Sequence, residues 1–222
     1  MQIKTIRLGI TNCYLIKGEQ GYILVDAGSL RKQRRFMKVM NRLKINPQDI
    51  KLIIITHAHY DHVGSLAPIK RICNCPVAIS PPEGEITSQG LVVIPPGTNF
   101  TGKLVSILGK TFKFILQFPK CEVDYLITEE LRLDEYGVAG RIVPTPGHTP
   151  GSLSVILDDG RAIVGDLAMN MPKGKIFPIF AEEPRVILDS WRKLVTEGVE
   201  TIYPAHGRPF SIHRIKKQLQ VK

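Results

Sequence analysis

Five times along this chain a short run rich in Val, Ile and Leu gives way to a turn that carries a His or an Asp. Leu24-Val25 leads to Asp26, Ile53-Ile54-Ile55-Thr56 to His57, Ile142-Val143-Pro144 to His148, Ala162-Ile163-Val164 to Asp166, and Thr201-Ile202-Tyr203 to His206. Short apolar runs bounded by Gly and Pro read as buried strands. In an α/β sheet the loops at one set of strand ends converge, and sites form there. The pattern predicts one α/β domain with its chemistry gathered at a sheet edge.

The second of these turns is the densest. His57-Ala58-His59-Tyr60-Asp61-His62 places half of the chain's 6 histidines, and a carboxylate, in one turn. Neutral imidazole and carboxylate are the ligands that a borderline divalent ion such as zinc selects. His57 and His59 are two apart and project to one side of an extended segment. Asp61 and His62 follow where the chain must turn, and there they can face a second point. The spacing suggests ligands for two ions.

Composition sets the frame. A content of 43% hydrophobic and 23% charged residues belongs to a globular chain, and its 222 residues suffice for a single domain with a real core. No apolar run reaches the roughly 18 to 20 residues that span a bilayer. The first residues lack the apolar core of a signal peptide, so a cytoplasmic location with no membrane partner is expected. The 4 cysteines are too few for a disulfide framework and are expected to be reduced. The net charge of +10 is concentrated between Arg31 and Lys44 and again between Arg208 and Lys222. Such charge could draw anionic substrates or nucleic acid, but solvated helix faces explain it at least as well.

Periodicity predicts a hairpin over 13–26 and a helix over 30–44 capped by Ser29. It also predicts a strand over 50–56, a helix over 63–71, and short strands near 76–80, 125–128, 141–144, 153–157, 162–164 and 201–203. Helices are expected over 185–196 and after Ser211. One segment stands apart: 85–120 is dense in Leu, Ile and Phe, punctuated by lysines, and reads as one or two amphipathic helices. It is either an insertion packed on the core or an apolar lid for the substrate pocket, with a homodimer contact as a further role.

In order and in kind, these motifs resemble the metallo-β-lactamase superfamily, in pattern the glyoxalase II-like hydrolases. The matching residues are Asp26 in Leu-Val-Asp-Ala-Gly, the cluster from His57 to His62, His148 in Pro-Gly-His-Thr-Pro-Gly-Ser, Asp166 in Val-Gly-Asp and His206 in Pro-Ala-His-Gly. The resemblance implies an αββα four-layer sandwich with a helical insertion. It implies two divalent metal ions, zinc foremost and iron or manganese as alternatives. His57, His59 and His148 would hold one ion, Asp61, His62 and His206 the other, and Asp166 would bridge them. Asp61 would also orient the attacking water and accept its proton, while Asp26 would hold the histidine loop without touching metal. His213 fits no motif and reads as a surface residue.

The function so implied is hydrolysis of a small ester, thioester or lactone by a metal-bridging hydroxide. Two alternatives use the same fold: a phosphodiesterase or nuclease, and a mononuclear iron enzyme like the persulfide dioxygenases. Histidine at position 59 disfavours the flavodiiron branch, which resembles this family but has Glu there. No Tyr follows three residues after Asp166, as it does in lactone-hydrolysing relatives. The long stretch between His62 and His148 departs from glyoxalase II and weakens the case for glutathione thioesters.

Overall fold

A computed structural model describes residues 1–220, so Lys222 of the basic tail lies outside it. Two six-stranded sheets form the centre of the molecule. The first runs in chain order through β1 (Gln2–Leu8), β2 (Thr11–Lys17), β3 (Tyr22–Val25), β4 (Ile50–Ile54), β5 (Val77–Ile79) and β6 (Tyr125–Leu126). Its first three strands are antiparallel, and β3 to β6 are parallel. The second contains β7 (Leu131–Arg132), β8 (Gly140–Pro144), β9 (Leu153–Leu157), β10 (Arg161–Ile163), β11 (Thr201–Tyr203) and β12 (Phe210–Ser211). Here only β10 and β11 pair in parallel.

Helices α1 (Gln33–Leu43), α2 (Tyr60–Val63), α3 (Leu66–Cys73), α4 (Pro81–Gln89) and α5 (Phe100–Thr111) follow strands of the first sheet. Helices α6 (Val186–Thr196) and α7 (His213–Gln220) belong with the second. Three apolar layers result, because strand side chains alternate between faces. Leu15, Leu24 and Ile53 pack with Phe36 and Met40 of α1 and Ile69 of α3. Their neighbours Tyr14, Ile23, Val25 and Ile54 face Ile142, Val155 and Ile163 of the other sheet. Ile156, Ala162 and Ile202 face outward onto Ile187, Trp191 and Leu194 of α6 and Ile215 of α7. The architecture is the expected αββα sandwich.

Two local expectations fail for identifiable reasons. Ser29 does not cap α1: the helix begins at Gln33, after Arg31 takes a left-handed φ of 59°. Ser29 instead carries tertiary contacts, its Oγ accepting the Ile10 N–H and its carbonyl accepting the Ser65 hydroxyl at 2.6 Å. The helix expected over 63–71 is divided at Gly64-Ser65. A Cβ at Gly64 would lie 2.5 Å from the Leu30 backbone nitrogen, so the chain passes there only as glycine. Ser65 spends its Oγ as acceptor for the Lys32 N–H at 2.7 Å.

Other expectations hold. All four cysteines are free thiols and buried, and His213 is exposed. Glu85 falls inside α4, and the apolar segment after it forms α5 and a 3-10 turn, Lys113–Leu116.

Candidate metal centre

Asp26, His57, His148, Asp166 and His206 follow the C-terminal ends of β3, β4, β8, β10 and β11. Strands β3 and β4 are parallel, and so are β10 and β11, while β8 and β10 both run antiparallel to β9. Each sheet therefore delivers its turns to one edge. The two edges are tied together there: the Leu153 N–H donates to the Thr56 carbonyl at 2.9 Å, and the Asn12 N–H to the Ala205 carbonyl at 2.8 Å.

Backbone geometry explains the motif glycine before Asp166. Gly165 has φ of 53°, and a Cβ there would lie 2.6 Å from Thr56 Oγ1. Only glycine lets β10 turn this close to β4. Gly147 does the same for His148, since its φ is 130° and a Cβ would stand 2.5 Å from the Ile187 nitrogen.

The seven expected ligands come together, and among the described residues they fall into three overlapping groups. His57, His59 and His148 form one, Asp61, His62 and His206 another, and His57, His62 and Asp166 the third, with ligand atoms within 4.8 Å of one another in each. Asp166 faces both sides: Oδ2 lies 3.7 Å from His148 Nε2, while Oδ1 lies 3.4 Å from His206 Nε2 and 3.6 Å from His62 Nε2. Asp61 Oδ2 stands 3.3 Å from His206 Nε2 and accepts the Thr11 hydroxyl at 2.9 Å.

Neighbouring groups set the direction of three of the imidazoles. His62 Nδ1 lies 2.9 Å from Asp26 Oδ2, and His148 Nδ1 lies 2.9 Å from the Phe180 carbonyl. His57 Nδ1 is 3.1 Å from Thr56 Oγ1, which itself lies 3.0 Å from both Asp26 oxygens. In these three rings Nδ1 lies beside an acceptor and Nε2 is the atom turned toward the centre, the arrangement that orients metal-ligating histidines.

Those inward atoms are the test of whether a cation fits. His57 Nε2, His62 Nε2 and Asp166 Oδ1 are buried with no hydrogen-bond partner. Buried polar atoms are seldom left this way, because each costs about 1–3 kcal/mol. His148 Nε2 and His59 Nδ1 are 3.0 Å apart. Two nitrogens on one tetrahedral zinc stand about 3.3 Å apart at ordinary Zn–N lengths. The residues fit divalent ions.

Electrostatics agree. Burial, reinforced by neighbouring imidazoles, pushes His57 well down and His59 down to about 3, and burial also lowers His148. All three are neutral near pH 7, the form that binds a metal ion. Burial opposes charge on His62 and His206 too, but the surrounding carboxylates outweigh it. Asp26 heads those around His62, and Asp166 those around His206, which is held up to about 10. Asp61 is held down to about 2, its burial outweighed by His62 and His206. Without a metal, protons on His62 and His206 balance the carboxylates, so this half of the site calls for positive charge.

One supporting residue carried no sequence signal. Glu83 of α4 is buried, and its Oε2 accepts the Ala58 N–H at 2.7 Å, inside the histidine turn. Nothing in Pro-Pro-Glu-Gly marks it, since its role depends on where α4 packs.

A cavity of about 610 Å³ opens onto the centre. His59, Asp61, Asp166 and His206 form its polar floor. Ile94, Val105, Leu108 and Phe112 from the 85–120 segment line its walls, together with Met169 and Phe180. No Lys or Arg lines it among the described residues.

Relatives share this frame. A probable metallo-hydrolase of Methanocaldococcus jannaschii is 29% identical over 205 residues, covering 89% of this chain and 87% of its own. A probable metallo-hydrolase of Bacillus subtilis is 25% identical over 232 residues, covering 95% and 85%. In fold, the chain is similar to an archaeal metallo-beta-lactamase superfamily protein from Sulfolobus tokodaii, with TM-score 0.73 and 18% identity over 99% of this chain and 85% of that one. It is equally similar to a B3 metallo-beta-lactamase, with TM-score 0.73 and 19% identity over 97% of each chain. The family profile spans residues 6–206, from the end of β1 to the last histidine of the centre, and the chain belongs to the metallo-beta-lactamase superfamily.

Proposed function

We propose that this protein is a two-metal hydrolase of small esters, thioesters or lactones that carry an apolar acyl group. The observation that carries this reading is the cavity itself: an apolar chamber whose charged lining, among the described residues, is the His/Asp cluster. Its volume is in the range of small-molecule sites. A carbonyl substrate with a hydrocarbon tail suits it, whereas a phosphodiester would meet no Lys or Arg among the described residues of its walls. Among relatives, a Bacillus protein named as an N-acyl homoserine lactonase is 24% identical over 169 residues, and a Dictyostelium discoideum glyoxylase B2 is 28% identical over 180. Both names are consistent with carbonyl chemistry.

His57, His59 and His148 would hold one ion and Asp61, His62 and His206 the other, with Asp166 between them. Bound there, such a pair supplies water activated near neutral pH and polarises the carbonyl under attack. The chain's own groups do the rest. Asp61, held by the Thr11 hydroxyl, would orient that water and take its proton. Asp166 presents one oxygen to each group of histidines. The cavity walls hold the acyl group and exclude bulk water. Zinc, iron and manganese all suit a His/carboxylate set, and a fold neighbour was solved in a di-iron-bound form.

The test is a panel of esters, thioesters, lactones and phosphodiesters assayed with wild-type, Asp61→Ala and His206→Ala proteins, alongside metal analysis. Turnover of a carbonyl substrate that falls by about 10²–10⁴ in both variants is expected. Full turnover in either variant would sink the proposal. One iron per chain in place of two ions would favour the dioxygenase alternative.

A further inference from the structure

Helix α5 does something unusual for a surface helix: it is apolar on the side turned away from the protein as well as toward it. Its packed face is small, with Gly102 and Ser106 buried against the segment around Gly97 and Ile179. A second stripe, Val105, Leu108 and Phe112, lines the cavity. The third stripe faces solvent at helical spacing: Phe100 is 85% exposed, Leu104 53% and Ile107 63%. Phe114, in the turn that follows, is 69% exposed. Isolated exposed apolar side chains need no explanation, but a contiguous set on one element marks an interaction surface.

The charges bordering this stripe select its partner. Residues 91–120 contain four lysines, Lys103, Lys110, Lys113 and Lys120, and no Asp or Glu. Lys103 and Lys110 are seven apart on α5 and so lie on one flank of the Phe100–Leu104–Ile107 stripe. Large aliphatic and aromatic side chains bounded by lysines, with no carboxylate among them, are the pattern of a helix lying in a membrane interface. Lysine stems reach along apolar surface while the ammonium stays among headgroups.

We propose that α5 and the Lys113–Leu116 turn dock this protein on an anionic lipid surface. The helix would lie in the plane of the interface, with Phe100, Leu104, Ile107 and Phe114 in the acyl boundary and the lysines at lipid phosphates. The absence of any helix long and apolar enough to cross a membrane does not bear on this mode. The expectation of no membrane partner rested on spanning length and on the lack of a signal-peptide core, neither of which bears on a helix lying in the interface. A second copy of the chain is a poorer occupant, because a two-fold contact through α5 brings the same lysines toward each other with no carboxylate to pair them.

Co-sedimentation of the intact protein with vesicles tests this. Equimolar phosphatidylcholine and phosphatidylglycerol vesicles are compared with pure phosphatidylcholine. Binding to the anionic vesicles alone, weakening as salt is raised, is expected. The combined Phe100→Ser, Leu104→Ser and Ile107→Ser protein should lose at least about tenfold in partitioning. Lys103→Glu with Lys110→Glu should lose about fivefold or more per lysine. None of these five side chains is buried or lines the cavity, so circular dichroism of each variant should match wild type. Equal binding to both vesicle types, or none, would overturn the proposal. So would wild-type dimerisation in sedimentation velocity that the triple-serine protein abolishes, with no vesicle binding by either.

Discussion

Asp26 Oδ2 lies 2.9 Å from His62 Nδ1, although the two residues belong to different turns of the first sheet. Asp26 Oδ1 also accepts the Thr56 N–H at 2.9 Å, so one buried carboxylate holds the start and the end of the histidine turn. It does this from a left-handed backbone, φ 63°, that asparagine tolerates better than alanine. Asp26→Asn should therefore keep the fold while losing about 10- to 100-fold in metal affinity, read by chelator competition. Asp26→Ala should cost about a further 1–2 kcal/mol of stability. Unchanged affinity in the Asn variant would show that Asp26 is only a turn residue.

Glu83 gives a second test of support from outside the motifs. Glu83→Ala leaves the buried Ala58 N–H without its acceptor, at a cost of about 1–3 kcal/mol in urea unfolding. Glu83→Gln keeps an oxygen there and should recover most of that loss. If the histidine turn depends on this bond, turnover by the alanine variant falls further than its stability alone explains.

The metal-free protein should be most stable near pH 6.5, where unperturbed histidine titrates. Above that value only the folded chain keeps protons on His62 and His206, the latter held up to about 10. Stability contributed by those protons is lost as pH rises toward 10. Below it the unfolded chain takes up protons that His57, His59 and His148 refuse. Stability then falls with acid as well, and Asp61, held down to about 2, adds a further loss below about pH 4. Melting temperatures of chelator-treated protein across this range check the shape. A curve flat from pH 6 to 10 would contradict the charge assignment.

Selectivity should follow the cavity wall. Phe112→Ala and Leu108→Ala remove apolar surface facing the acyl group. For a long-chain substrate each should lower kcat/KM by about tenfold, chiefly through KM, with little change for an acetyl ester. Equal losses on both substrates would place these side chains outside the acyl site.

The candidate ligand types were legible in the chain because metal chemistry allows few of them. Imidazoles and carboxylates set after β-rich runs carry their meaning at any distance, which is why His148, Asp166 and His206 could be grouped with the cluster at His57. Alternation in strands such as Tyr14 to Ile16 gave the α/β domain, and the four-layer sandwich was what the resemblance of the motifs implied. Ser29 misled because a serine before a basic amphipathic run has the chemistry of a cap. Contacts with Ile10 and Ser65, visible only in space, took it elsewhere.

Recurrence of strand ends in the chain thus foretold that polar turns would meet, and which residues they would bring. Distances decided the remainder. That Asp166 faces two histidine groups with its two oxygens, that Glu83 braces Ala58, and that α5 is apolar on its outer side all depend on how helices settle against the sheets. A residue's type follows from the chemistry required of it, but its direction follows from packing among parts of the chain that are far apart in sequence.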